Sequence, residues 1–190
     1  MTPAQAVGDA GGRPKYLAGG ARLRFDLVKI LLVDDNHHMR VLLIEILRAI
    51  GARQVYEAAD GAEALQMMRT YPIDIVMTDL SMQPLDGIDF ARLVRNSPDS
   101  PNMLVPIIMI TGHSTSRRVA EARDVGVNEF LVKPVTARGV VERICEVIEY
   151  PRPFVRSADY FGPDRRRRAD ASWNGPYRRG SDAPTTALDA

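Results

Sequence analysis

The sequence predicts an α/β fold, (βα)5, in which one doubly wound parallel sheet carries helices on both faces. Two observations predict it. Five short apolar runs of strand length alternate with five segments of helical period, all within about 125 residues. The runs are continuous rather than alternating, as in strands buried on both faces, and such alternation implies parallel neighbours joined by crossover helices. Five strands are too few for an eight-stranded α/β barrel.

Lys29-Ile-Leu-Leu-Val-Asp34 is an apolar run ending in acids, the first strand. Apolar residues at Met39, Leu42, Leu43, Ile46, Leu47 and Ile50 then have helical spacing, stopped by Gly51. Gln54–Ala58 is a weak second strand, and Asp60 caps a helix through Leu65 and Met68 that Pro72 ends. Ile73–Thr78 is the third strand. Asp86-Gly87 opens a helix with Ile88, Phe90, Ala91 and Val94 on its inner side. After the Pro98–Pro101 loop, Val105–Ile110 is the most apolar strand. Ser114 to Val125 is a polar helix closed by Gly126. Glu129–Val132 is the fifth strand, and Thr136 to about Tyr150 the last helix.

The chain has 190 residues, 45% of them hydrophobic and 26% charged, enough for one core of ordinary size. No apolar run approaches the ~20 residues of a membrane span, and the N-terminus lacks a secretory apolar region. One cysteine, Cys145, excludes an internal disulfide and a multi-Cys zinc site. These features read as a soluble, cytoplasmic protein. Residues 1–25, rich in Gly and Ala, read as a disordered arm, and the folded unit as 26–150. The net charge of +1 hides an uneven layout, because residues 151–190 carry 8 Arg against 5 Asp with no Lys or Glu. The overall balance argues against a general nucleic-acid binder, but the Arg-rich end needs its own explanation.

In open parallel sheets, chemistry collects at the carboxyl ends of the strands. Here the first strand ends in Asp34-Asp35, the third in Asp79, the fourth in Thr111 and the fifth in Lys133-Pro134. Singly, each has a bland explanation: a helix cap, a turn residue, a loop. Together they bring three carboxylates, a hydroxyl and an ammonium to one edge. Two unit charges ~4 Å apart repel by ~4 kcal/mol at an effective dielectric of ~20. A hard divalent cation with oxygen ligands removes that conflict, so Mg²⁺ is the natural occupant. Asp79 would then be the nucleophile toward a phosphoramidate, forming an acyl phosphate. Lys133 would stabilise charge on the phosphoryl oxygens, and Thr111 would donate to them. His38 is read as a solvated helix residue and Cys145 as core filler.

Residues 28–149 resemble a CheY-like receiver domain of two-component response regulators. The resemblance rests on Leu-Val-Asp34-Asp35, Ala-Asp60-Gly61-Ala-Glu-Ala-Leu, Met-Thr-Asp79-Leu-Ser-Met, Leu-Asp86-Gly87, Ile-Thr111-Gly112 and Phe130-Leu-Val-Lys133-Pro134. It implies a phosphoacceptor Asp79 served by a histidine kinase or histidine phosphotransferase. It implies Mg²⁺ at Asp34, Asp35, Asp79 and the Ser81 carbonyl, a cis peptide before Pro134, and a switch aromatic at Phe130. It implies a phosphoprotein, not an enzyme with a substrate of its own. One departure is Met82-Gln-Pro-Leu-Asp-Gly87, where Pro84 stands one place later than the family's proline.

Only about 40 residues follow Tyr150, fewer than a DNA-binding output domain needs, and Val155 is nearly their only aliphatic of weight. The reading is therefore a single-domain response regulator with an extension at 151–190, disordered until ligand-bound. The extension holds an imperfect repeat. Gly162-Pro-Asp-Arg165-Arg166-Arg167-Arg168-Ala-Asp170 is echoed by Gly175-Pro-Tyr177-Arg178-Arg179-Gly-Ser-Asp182, with Trp173 between them. Arg pairs bidentately with phosphate and stacks on π faces, and Asp accepts from the guanine edge. The Arg-x-x-Asp copies resemble the guanine clamp of CheY-like cyclic di-GMP effectors. That resemblance implies cyclic di-GMP binding by these residues, controlling docking on a partner such as a flagellar motor component. Competing readings are a phosphorelay shuttle with an inert extension, or an extension bound to nucleic acid or anionic membrane.

Overall fold

The computed structural model describes residues 24–112, 115–165 and 186–188. Its main sheet contains β1 (Lys29–Val33), β2 (Gln54–Ala58), β3 (Ile75–Asp79), β4 (Ile107–Thr111) and β5 (Glu129–Val132). All pairs are parallel, in the order β2-β1-β3-β4-β5. The helices are α1 (His37–Ala49), α2 (Gly61–Thr70), α3 (Gly87–Asn96), α4 (Ser116–Asp124) and α5 (Ala137–Glu149). The expected fold class is the observed one. Among the described residues no helix is long and apolar enough to cross a membrane.

Strand alternation divides the core. Leu31, Val33, Val76, Ile107 and Met109 face α2, α3 and α4 through Ala64, Met68, Ile88, Phe90, Ala91, Val94 and Ala122. Ile30, Leu32, Ile75, Met77, Ile108 and Ile110 face α1 and α5 through Leu43, Ile44, Leu47, Val140, Ile144 and Val147. The central strands therefore read as unbroken apolar runs. Polar side chains start every helix: Asn36, Asp60, Asp86, Thr115 and Thr136 each accept from first-turn N–H groups.

Two strands start later than their apolar runs suggest, β3 at Ile75 rather than Ile73 and β4 at Ile107 rather than Val105. Pro106 explains the second shift, since proline lacks the ladder donor and restricts the residue before it, here Val105. The shift matters: Asp79 and Thr111 are the last residues of their strands, in register with Ile110 and Val132. Glycine is required at Gly126, which closes α4 at φ +92°.

The boundary at residue 150 needs correction. Residues 151–165 continue the structure past α5. β6 (Phe154–Arg156) and β7 (Phe161–Pro163) pair antiparallel, and β8 (Thr186–Leu188) pairs with the other edge of β6. Phe154 and Phe161 are buried, with ring centroids 5.7 Å apart. The fully buried Arg95 guanidinium lies 5.0 Å from the Phe154 ring. Aliphatic periodicity does not reveal such a hairpin, because its anchors are two aromatics, one on each of two three-residue strands. At the other end, Phe25–Leu27 forms a 3-10 turn where the disordered arm was expected to end, and residues 1–23 lie outside the described residues.

Candidate functional site

The parallel register carries the ends of β1, β3, β4 and β5 to one edge. Asp34, Asp79 and Thr111 are buried there, at 1%, 6% and 4% exposure, and Lys133 follows β5. With Asp35, Asn36, Leu80, Ser81 and Gly112 they line a cleft of about 320 Å³. The structure thus brings together the residues expected at the strand ends.

Asp79 is held at both oxygens. Lys133 Nζ donates to Oδ1 at 2.5 Å, and the Ser81 N–H donates to Oδ2 at 2.8 Å. Asp34 Oδ1 accepts from the Asn36 N–H at 2.8 Å, while its Oδ2 is buried without a hydrogen-bond partner, 3.9 Å from Lys133 Nζ. Asp35 Oδ2 accepts from the Gln83 N–H at 3.2 Å, tying the β1 end to the loop after β3. Gly87 closes that loop; a Cβ there would lie 2.2 Å from the Asp79 carbonyl oxygen. The Lys133–Pro134 bond is cis, as the resemblance implies, and Gln83–Pro84 is cis as well. Phe130 is partly buried against the α2–α3–α4 side of the core.

Burial raises the Asp34 pKa above the ordinary carboxylate range; the Asn36 N–H opposes this, and the Asp79 charge adds to it. A carboxyl that holds its proton more tightly when folded makes the folded state less stable as pH rises from its unfolded value through its folded one. Asp34→Asn is therefore expected to stabilise metal-free protein at neutral pH and to raise its Tm. Calorimetric melting checks this, and a lower Tm would count against a strained carboxylate.

The donor set fits a hard cation. Among the described residues no group of three or more His, Cys, Asp or Glu side chains closes a metal cage unaided. Mg²⁺ does not need one, since it keeps waters and takes one or two carboxylates plus phosphoryl oxygen. The orphaned Asp34 Oδ2 beside two further carboxylates supplies that surface.

Sequence reading missed three partners. Asn36 both caps α1 and lines the cleft. Arg40 donates to the Asp34 carbonyl at 2.7 Å and pairs with Glu57 at 3.3 Å. Arg118 of α4 pairs at 2.7 Å with Asp86, the α3 cap. Their signals were ordinary helix polarity, and only the fold shows whom they meet. His38 lies exposed in the first turn of α1. Cys145 is buried in α5, where burial pushes its thiol up to about 11.

Of the expected nucleotide-binding set, Arg165 alone is described. It pairs with Asp124 at 3.3 Å and stacks 4.0 Å from the Tyr160 ring centre. Arg166, Arg167, Arg168, Asp170, Trp173, Tyr177, Arg178, Arg179 and Asp182 lie outside the described residues.

Comparison with known proteins agrees with this geometry. Residues 30–145 match the family described as response regulator receiver domain. The chain is 37% identical over 122 residues to the chemotaxis protein CheY of Pseudomonas aeruginosa, covering 64% of this chain and 97% of that one. The solved structure of chemotaxis protein CheY4 of Vibrio cholerae superposes with a TM-score of 0.59 at 30% identity, covering 64% and 98%. The receiver domain of a Pseudomonas aeruginosa sensor histidine kinase, solved with magnesium coordinated in its active-site cleft, matches with a TM-score of 0.55 at 28% identity, covering 63% and 94%.

Proposed function

Because this chain belongs to the response regulator receiver family, we propose that Asp79 accepts a phosphoryl group from a histidine kinase or histidine phosphotransferase in two-component signalling. The observation that carries the reading is Lys133 Nζ on Asp79 Oδ1 beside the orphaned Asp34 oxygen. The Ser81 N–H fixes Asp79 Oδ2, so one carboxylate oxygen is oriented and the other faces the Lys133 ammonium. That oxygen attacks phosphorus as the N–P bond of the phosphohistidine breaks, and the leaving imidazole takes up a proton. Lys133 then follows the negative charge onto the phosphoryl oxygens, and the Thr111 hydroxyl donates to them. Bound Mg²⁺, held by Asp34, Asp35, Asp79 and the Ser81 carbonyl, would neutralise charge on the phosphoryl oxygens. The protein modifies its own side chain and acts on no separate substrate. The test is incorporation of hydroxylamine-sensitive phosphate from a small phosphoramidate donor with Mg²⁺, located on Asp79.

The sequence of the extension supports a second layer: cyclic di-GMP bound by the two Arg-x-x-Asp copies, changing how the receiver docks on a partner. Similarity to chemotaxis proteins makes a flagellar motor component a candidate partner. Arg167 and Arg179 would stack on or pair with guanine, Asp170 and Asp182 would read its edge, and Trp173 would cover a base face. Arg165, engaged with Asp124 and Tyr160, contributes least. Calorimetric titration of the full chain with cyclic di-GMP checks this. Binding is expected to survive moderate salt and to weaken at least about 10-fold in the double variant Asp170→Ala/Asp182→Ala. Equal binding by the variant would refute the guanine clamp. A fall in log affinity of ~0.7–0.9 per phosphate neutralised, per unit of log salt, would instead favour polyanion binding.

A further inference from the structure

α4 is the most weakly anchored helix of the receiver. It buries a single residue, Ala122, whereas each of the other four helices buries at least three. Burial supplies most helical stability in a folded protein, so α4 depends on what grips its ends. Its first turn is gripped at the phosphoacceptor edge. Arg118 pairs with Asp86 at 2.7 Å, and the two share a cleft with Asp35 and Ser81. Asp86 immediately precedes Gly87, which sits against the Asp79 backbone.

Its last turn is gripped by the hairpin that follows α5. Asp124 pairs with Arg165 at 3.3 Å, and Arg165 is braced on the Tyr160 ring. The turn after α4 lies flush on β7: a Cβ at Gly126 would come 2.9 Å from the Phe161 carbonyl oxygen, and one at Gly162 would come 2.8 Å from the Gly126 Cα. Arg95 Nε donates to the Gly126 carbonyl at 3.0 Å and stacks toward Phe154. Arg152 fastens the hairpin's start, donating to the Asn128 carbonyl and, at 3.0 Å, to the Asp164 carbonyl. The family match stops at residue 145, so none of these hairpin contacts belongs to it.

We propose that residues 152–165 are a clasp on α4, through which the extension sets how readily the Asp79 site rearranges. The clasp holds α4 where Arg118 ties down the loop beside Asp79. A phosphoryl group arriving at Asp79 needs room in that same region, so a looser α4 admits it faster. Coupling of this kind is reciprocal: whatever binds or displaces the extension alters the receiver, and the phosphorylated receiver alters the extension. The link to phosphoryl transfer rests on the function proposed above, whereas the grip on α4 does not.

The test uses the full chain in three versions. Arg165→Ala removes the ion pair and the stack. Gly162→Ala wedges hairpin and turn apart. Arg48→Ala, which breaks an exposed pair with Glu45 within α1, is the control. Hydrogen exchange over residues 116–124 is expected to quicken about 3–10-fold in the first two and not in the third, with β1 and β3 unchanged in all. Labelling by a small phosphoramidate donor with Mg²⁺ is expected to quicken roughly 2–5-fold in the same two. Unchanged exchange in α4 would overturn the clasp. Faster exchange with unchanged labelling would overturn its control of the site. Should the unaltered chain take no label at all, the phosphoacceptor reading fails, while exchange in α4 still decides the clasp.

Discussion

Asp79→Ala is expected to take up no phosphoryl group, a loss of at least about 100-fold in labelling rate from a small phosphoramidate donor with Mg²⁺. The reason is positional. Asp34 is buried and has its Oδ1 committed to the Asn36 N–H, and Asp35 is committed to the Gln83 N–H. Of the three carboxylates, Asp79 has one oxygen fixed by a backbone N–H and the other in direct contact with the Lys133 ammonium at 2.5 Å, a partner that can follow charge onto the incoming group, whereas Asp34 Oδ2 stands 3.9 Å from it. The variant should remain folded, because it removes one of three mutually repelling carboxylates; its melting temperature is expected to equal or exceed that of the unaltered chain. Lost labelling with retained melting identifies chemistry rather than unfolding. Persistent labelling would place the nucleophile elsewhere.

Arg95→Ala is expected to be the most destabilising single substitution on the face away from this site, costing roughly 3–5 kcal/mol. Arg95 is fully buried at the end of α3 and donates to three acceptors: the Gly126 carbonyl at 3.0 Å, the Met103 carbonyl at 2.8 Å and Asn128 Oδ1 at 2.9 Å. Burial pulls its pKa down to about 9, still protonated at neutral pH. Its removal orphans buried acceptors, opens a cavity and takes away the cation beside Phe154, so the hairpin loosens with it. A chain of this size should lose roughly 6–20 °C in Tm, measurable by denaturant and thermal melts. A loss below about 1 kcal/mol would mean that water replaces the guanidinium at little cost.

The main sheet was legible because its signals are local. The apolar runs and helical periods of residues 29–149 fall where strands and helices form, shifted by at most two residues at the proline-flanked β3 and β4. The strand-end residues were legible for the same reason: in a parallel sheet, sequence position after a strand fixes the edge on which a residue stands. Arg40, Asn36 and Arg118 were not, because a polar residue on a helix looks the same whether it meets solvent or the Asp34 carbonyl. The hairpin at 154–163 was hidden for a different reason. Its anchors, Phe154 and Phe161, are buried by Arg95, Gly126 and one another, all distant in sequence except themselves.

By itself, the sequence determined the order and kind of the elements, the parallel sheet, and the acidic edge with its lysine. These follow from periodicity and from residues adjacent along the chain. Only the tertiary structure decided which oxygen of which carboxylate is held, that the folded unit extends beyond α5, and that α4 is gripped at both ends. Those depend on contacts between segments tens of residues apart, whose geometry no local pattern encodes.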